Sequence, residues 1–183
     1  MVDEKDLVTR ALNGSLGAFE ALVRQYEHLV FFMVRQVVYV PEDIEDVCQE
    51  VFMKIHRNLH RFRFQSRLST WIAQIAYRSA LNHAKKYRSH RHSVDLSGAE
   101  TLADPNESAD AAYPDRRAMV HAAIQALPEA FRQMVLLYHI QEFSYEEIAR
   151  ITGQPVGTVK SYLFRGRKLL RERLEILFLN EEK

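Results

Sequence analysis

A single cysteine, Cys48, stands in 183 residues, so no internal disulfide can form and the sequence suits a reducing compartment. Long apolar runs are missing as well. The longest, Leu29 to Val34, is far too short to span a bilayer, and no basic start followed by an apolar run and a small-residue cleavage site opens the chain. A cytoplasmic location without membrane insertion is therefore expected. The motifs of common enzyme chemistries are also lacking: there is no glycine-rich phosphate loop, no Gly-x-Ser-x-Gly elbow and no His-Glu-x-x-His pair. Cys48, His56 and His60 are the one candidate metal set, and they lack a clear fourth ligand. Neither a catalytic residue nor a cofactor is expected. What remains is an ordinary globular composition, 47% hydrophobic and 27% charged, which excludes a disordered chain.

Acid is absent from one long stretch. Residues 51–94 hold no Asp or Glu, while Lys54, Arg57, Arg61, Arg63, Arg67, Arg78, Lys85, Lys86, Arg88 and Arg91 fall within them. Residues 95–115 invert the pattern, with Asp95, Glu100, Asp104, Glu107, Asp110 and Asp115 and no base. Residues 158–173 turn basic again through Lys160, Arg165, Arg167, Lys168, Arg171 and Arg173. The net charge of +1 thus conceals two basic blocks and an acidic connector. Such sorting suggests two polyanion-binding surfaces.

No segment alternates as a strand does, and helical spacing dominates. Leu7, Ala11 and Leu12, then Phe19, Leu22, Val23, Tyr26, Val30 and Val34, mark a short and a long helix broken at Asn13-Gly14-Ser15. Pro41 with the acids after it predicts a helix start, and Ile44, Val47, Cys48, Val51, Phe52 and Ile55 give that helix its buried face. A connection over 62–68 precedes another helix, for which Ser69 or Thr70 is the expected cap and Trp71, Ile72, Ile75 and Ala76 the expected core. The expected fold is all-α: a helical domain over 1–93, an acidic linker over 94–114, and a second helical domain over 115–183.

In the second domain, residues 145–164 carry the restraints of a helix-turn-helix. Ser144 and Glu147 form a capping box, Ala149 is small where helices approach, and Gly153 suits a turn needing positive φ. Pro155 fits the first turn of the second helix. With Val159, Leu163, Gly166 and Leu170 inward, the outward face presents Lys160, Ser161, Phe164, Arg165 and Lys168. Cations can pair with guanine edges and an aromatic can pack on a thymine methyl. Thr158 sits near the helix N-terminus, where phosphate is favoured.

The first basic block interleaves cations with Phe62, Phe64, Trp71, Tyr77 and Tyr87. That mixture suits opened or single-stranded DNA, since cations follow phosphates while aromatics receive unstacked bases. Its candidate exposed residues are Gln65, Ser66, Arg67, Tyr77, Arg78, Ser79, Asn82, Lys85 and Lys86. A repressor or activator would also use a helix-turn-helix, but would leave the acidic helix and this block without a purpose.

Three segments resemble a known family. PEDIEDVCQEVF at 41–52, FQSRLSTWI at 64–72, and FSYEEIA at 143–149 with PVGTVKS at 155–161 and RGR at 165–167 are similar, in order, to conserved segments of sigma-70-type factors. The two-domain length resembles the extracytoplasmic-function (ECF) group. The resemblance implies a sigma domain 2 over 1–93 and a sigma domain 4 over 115–183. It implies that Asp43, Asp46, Gln49 and Glu50 hold the β′ clamp helices of core RNA polymerase. It implies that the loop 62–69 receives a flipped −10 base, so that Phe64, Gln65, Ser66, Arg67, Tyr77, Arg78, Asn82, Lys85 and Lys86 face the −10 element. Thr158, Lys160, Ser161, Phe164, Arg165 and Arg167 would read the −35 element of promoter DNA. Contact with the β flap and control by an anti-sigma factor are further implications. The loop lacks the glycine often found there in the family, and Asn82 stands where an Asp is common.

Overall fold

The computed structural model describes residues 4–91 and 114–181, among which every regular element is a helix. The chain divides into two compact units, Met1–Thr101 and Leu102–Lys183. Apart from Pro114, the expected linker lies outside the described residues. No helix among them is long and apolar enough to cross a membrane.

The first unit comprises α1 (Glu4–Leu12), α2 (Leu16–Arg35), α3 (Pro41–Asn58), a 3-10 turn (Leu59–Arg61) and α4 (Leu68–Arg91). The break after α1 is local chemistry. Gly14 takes a left-handed φ of +87°, and the Ser15 hydroxyl accepts from the Ala18 N–H at 3.3 Å to cap α2. Pro41 opens α3 with Glu42 and Asp43 in its first turn, where the missing N–H costs nothing and acid meets the helix dipole.

The start of α4 departs from expectation. It begins at Leu68, and the Arg67 carbonyl accepts from the Trp71 N–H at 3.2 Å. Ser69 and Thr70 therefore lie inside the first turn, and Thr70 is buried. The reason is the apolar stripe: Leu68, Ile72, Ala76 and Ala80 recur every four residues and are all buried. That stripe packs with Leu22, Val30, Met33 and Val34 of α2 and Val47, Val51 and Ile55 of α3 into one core. Each large aliphatic buried there contributes about 1.5–3 kcal/mol. Trp71, expected in the core, is half-buried and lies against Phe62, ring centroids 5.5 Å apart. Leu7 and Val8 seat α1, and the Tyr26 hydroxyl donates to the Glu4 carboxylate. Burial, then that carboxylate, push the phenol above the usual tyrosine range, so it stays a donor at neutral pH.

The second unit comprises α5 (Pro114–Gln125), α6 (Glu129–His139), α7 (Tyr145–Thr152) and α8 (Val156–Glu181). The other three helices all pack on α8. Met134, Val135 and Leu137 of α6, Ile148 and Ile151 of α7, and Val159 and Leu163 of α8 form its core with Phe143. At Gly166, α8 lies tight against α6. A Cβ there would stand 2.9 Å from Val135 Cγ2 and 3.3 Å from Phe131 Cβ. Gly166→Ala should gain about 1 kcal/mol of helix propensity yet lose about 1–3 kcal/mol to overpacking against a stiff β-branched neighbour. Net destabilisation in a urea titration is the expected result; a stabilised variant would mean that α6 yields freely.

Candidate nucleic-acid and polymerase interfaces

On the second unit the helix-turn-helix forms as its residues dictate. The Ser144 hydroxyl accepts from the Glu147 N–H at 3.2 Å, and Glu147 Oε2 accepts from the Ser144 N–H at 2.9 Å. Gly153 closes α7 with φ of +74°, its N–H donating to the Ala149 carbonyl at 2.9 Å. Pro155 lies one position earlier than expected, just before α8. Its carbonyl accepts from the N–H groups of Thr158 and Val159, at 2.9 and 3.1 Å.

Val159 and Leu163 are fully buried, so the opposite face of α8 is turned outward. Phe164 is 72% exposed, an unusual state for phenylalanine. Lys160, Arg165, Arg167 and Lys168 are exposed, while Thr158 and Ser161 are half-buried. Arg165 makes no hydrogen bond or ion pair among the described residues. Arg167 differs: Nη2 donates to the Tyr145 hydroxyl at 3.0 Å, and its guanidinium lies 5.1 Å from the Tyr138 ring. Lys160 Nζ lies 5.9 Å from the Tyr145 ring. These aromatic partners, on other helices, were not singled out from the sequence.

On the first unit the loop 62–67 folds around aromatic contacts. Phe62 is buried, and Phe64 leans on it with centroids 4.8 Å apart while remaining 45% exposed. No glycine relieves this loop, and Phe64 itself takes a left-handed φ of +55°, a strain of about 1–3 kcal/mol that the packing must hold. Lys5 of α1 lies 5.8 Å from the Phe64 ring. Gln65 and Arg67 are exposed and Ser66 half-buried. Along α4, Arg78, Asn82, Lys85 and Lys86 form one exposed stripe at helical spacing, with Tyr77 half-buried beside it.

Ser79 corrects an expectation. It is buried, and its hydroxyl accepts from Lys54 Nζ of α3 at 3.1 Å. Its small side chain is needed where α3 and α4 meet, so it cannot face DNA. Lys54 also pairs with Glu50 at 2.7 Å. A second bridge joins the same helices: His83 Nε2 lies 3.0 Å from Asp43 Oδ2, and both side chains are about one-quarter exposed. His83 of α4 thus meets the acidic helix, and it stacks near Tyr87, centroids 6.4 Å apart.

The outer face of α3 presents Asp46, Gln49 and Glu50, all exposed, together with Met53, 53% exposed. The candidate metal set does not assemble. Among the described residues no three His, Cys, Asp or Glu gather as ligands, and His56 packs edge-on against Phe19 at 4.7 Å. Cys48 is half-buried; burial, then the charge of Glu45, push its thiol up to about 11, which leaves it a poor nucleophile.

Known proteins resemble this chain along most of its length. The Sigma-70 region 2 family matches residues 22–90, and Sigma-70, region 4 matches residues 117–170. The RNA polymerase sigma-H factor of Pseudomonas aeruginosa is 34% identical, with 95% of each chain covered. The ECF RNA polymerase sigma-E factor of Escherichia coli is 36% identical, covering 93% of this chain and 94% of that one. The chain belongs to the ECF sigma factors of the sigma-70 family.

As an ECF sigma factor it is a transcription initiation factor that works with RNA polymerase at promoter DNA. Solved structures share the all-α fold. One is CnrH in complex with the cytosolic domain of CnrY, at 20% identity and a TM-score of 0.64 over 94% of this chain and 97% of that one. Another is the sigma factor RpoE in complex with the anti-sigma factor NepR from Bartonella quintana, at 23% identity and a TM-score of 0.67 over 86% and 97%. The basic stripe of α4 falls in region 2 of this sigma factor, and the helix-turn-helix in region 4.

Proposed function

We propose that the two units divide promoter recognition between them, with α3 of the first unit as the grip on core polymerase. The observation that carries this reading is the pairing of opposite faces in one small unit. An acidic outer face on α3 (Asp46, Gln49, Glu50) stands on the same core as a basic stripe on α4 (Arg78, Asn82, Lys85, Lys86). One face suits a basic protein surface such as the β′ clamp helices, and the other the opened −10 DNA. Asp43 contributes to the grip from its bridge with His83. Phe64, Gln65, Ser66 and Arg67 form the rim that accepts an extruded base, and Tyr77 flanks it.

In the second unit, Thr158, Lys160, Ser161, Phe164 and Arg165 meet the −35 duplex, and the unit's remaining surface meets the β flap. The acids of 94–114 follow a basic channel of the polymerase near the RNA path. The factor acts in the cytoplasm, catalyses no reaction and takes no cofactor. An anti-sigma factor holds it inactive by covering its polymerase-binding surfaces; likeness in fold to a sigma factor solved with the anti-sigma factor NepR supports this. Co-purification from the native cell tests it, and a factor recovered free of any such partner counts against it.

Core polymerase mixed with the full chain on linear genomic fragments should give discrete transcript starts sharing −35 and −10 sequences. Duplex binding without core, and no transcripts, would mean that the protein is a regulator of another kind. Within that assay Arg165→Ala should cost about 1–3 kcal/mol of −35 discrimination, the worth of one good base contact. Unchanged −35 selectivity would remove α8 from the reading.

A further inference from the structure

Arg167 lies on α8 among the expected base-reading residues, yet its head group is committed elsewhere. One N–H is taken by the Tyr145 hydroxyl at 3.0 Å and one face by the Tyr138 ring at 5.1 Å. The two rings stack, 5.1 Å apart with 26° between their planes. Tyr138 lies in the last turn of α6, Tyr145 opens α7 and Arg167 belongs to α8, so one guanidinium ties three helices. Tyr145 also matters by position, because it begins the first helix of the helix-turn-helix. In that motif the first helix crosses the phosphate backbone, while the N-terminal part of the second enters the groove. A guanidinium pinned beside the opening of α7 is on the backbone side, with four of its five N–H donors still unspent on Tyr145.

We propose that Tyr138 and Tyr145 position Arg167 as a phosphate anchor for the −35 duplex. Arg167 then sets affinity and register, while Lys160, Ser161, Phe164 and Arg165 set base preference. This rests on the −35 reading of α8 given above. Holding the side chain in advance lowers the ordering cost of binding, which is the usual gain from a pre-organised arginine fork. The contact leaves its mark on the phenol as well: the Arg167 hydrogen bond pulls Tyr145 below the usual tyrosine range, as for an oxygen facing a cation.

The test uses holoenzyme assembled from core polymerase and the full chain, offered a mapped promoter randomised over its −35 segment. Arg165→Ala should flatten base preference at one position or more. Arg167→Ala should keep the preference profile, weaken every sequence by the same factor, and reduce the log–log salt slope by about 1. Arg167→Lys should keep that slope, because the charge remains, but should still weaken binding. Tyr145→Phe should weaken binding in the parent and add nothing on top of Arg167→Ala. The proposal is overturned if Arg167→Ala alters base preference, if the salt slope stands still, or if the Tyr145→Phe and Arg167→Ala effects simply multiply. A parent holoenzyme that enriches no −35 sequence overturns the reading of α8 itself, and this proposal with it; that outcome is distinct, since it needs no variant.

Discussion

Leu68→Ala should destabilise the first unit by about 2–5 kcal/mol, the usual cost of removing a leucine side chain from a closed core. Leu68 is 0% exposed, and it opens α4 where the loop 62–67 ends. At about 0.05–0.15 kcal/mol per residue, a unit of this size has only about 5–15 kcal/mol in total, so the loss is a large share. It should also release the strained Phe64 turn, whose left-handed backbone persists only while its surroundings hold it. The chain supplies its own probe, because Trp71 is the single tryptophan and lies one turn after Leu68. Urea unfolding followed by Trp71 fluorescence should show a lower midpoint with an unchanged slope. Leu68→Met, close in volume, should cost less than about 1.5 kcal/mol. Should the alanine variant unfold at the parent midpoint, the position is not in a closed core and α4 starts for another reason.

Leu68 also shows what the sequence concealed. The four-residue recurrence Leu68, Ile72, Ala76, Ala80 was present to be read, but Ser69 and Thr70 offered a capping signal two or three residues past Arg67, and the local signal lost to burial. Short-range chemistry was otherwise legible. Ser15, Pro41, the Ser144–Glu147 box and Gly153 each act within four residues of themselves, and each set its helix end as read. Contacts across long sequence separations were not. Asp43 and His83 are 40 residues apart, Lys54 and Ser79 are 25 apart, and Arg167 and Tyr145 are 22 apart. No periodicity encodes such pairs; only the packing of one helix on another brings them together. The outward residues of α8 followed from knowing Val159 and Leu163 to be inward. Which of them were already engaged did not.

That distinction selects the residue for the second test. Among the acids of α3, Asp43 is tied to His83 and Glu50 to Lys54, so changing either one disturbs the α3–α4 contact along with any partner surface. Asp46 is exposed and makes no hydrogen bond or ion pair among the described residues. Its replacement should therefore leave the unit's stability within about 0.5 kcal/mol, as for ordinary surface positions. If the outer face of α3 grips core polymerase, Asp46→Arg sets a positive charge against a surface chosen to meet a negative one. Truncating one member of a paired interfacial charge costs about 2–5 kcal/mol, and a like-charge clash is of similar size. Affinity for core should then fall by about 30-fold or more, measured by competition with a labelled parent chain for limiting core. Transcription at saturating factor should recover in proportion, since the DNA-facing residues are untouched. A core affinity equal to that of the parent would place the polymerase grip elsewhere on the chain, and leave the acidity of α3 as no more than a helix-start preference.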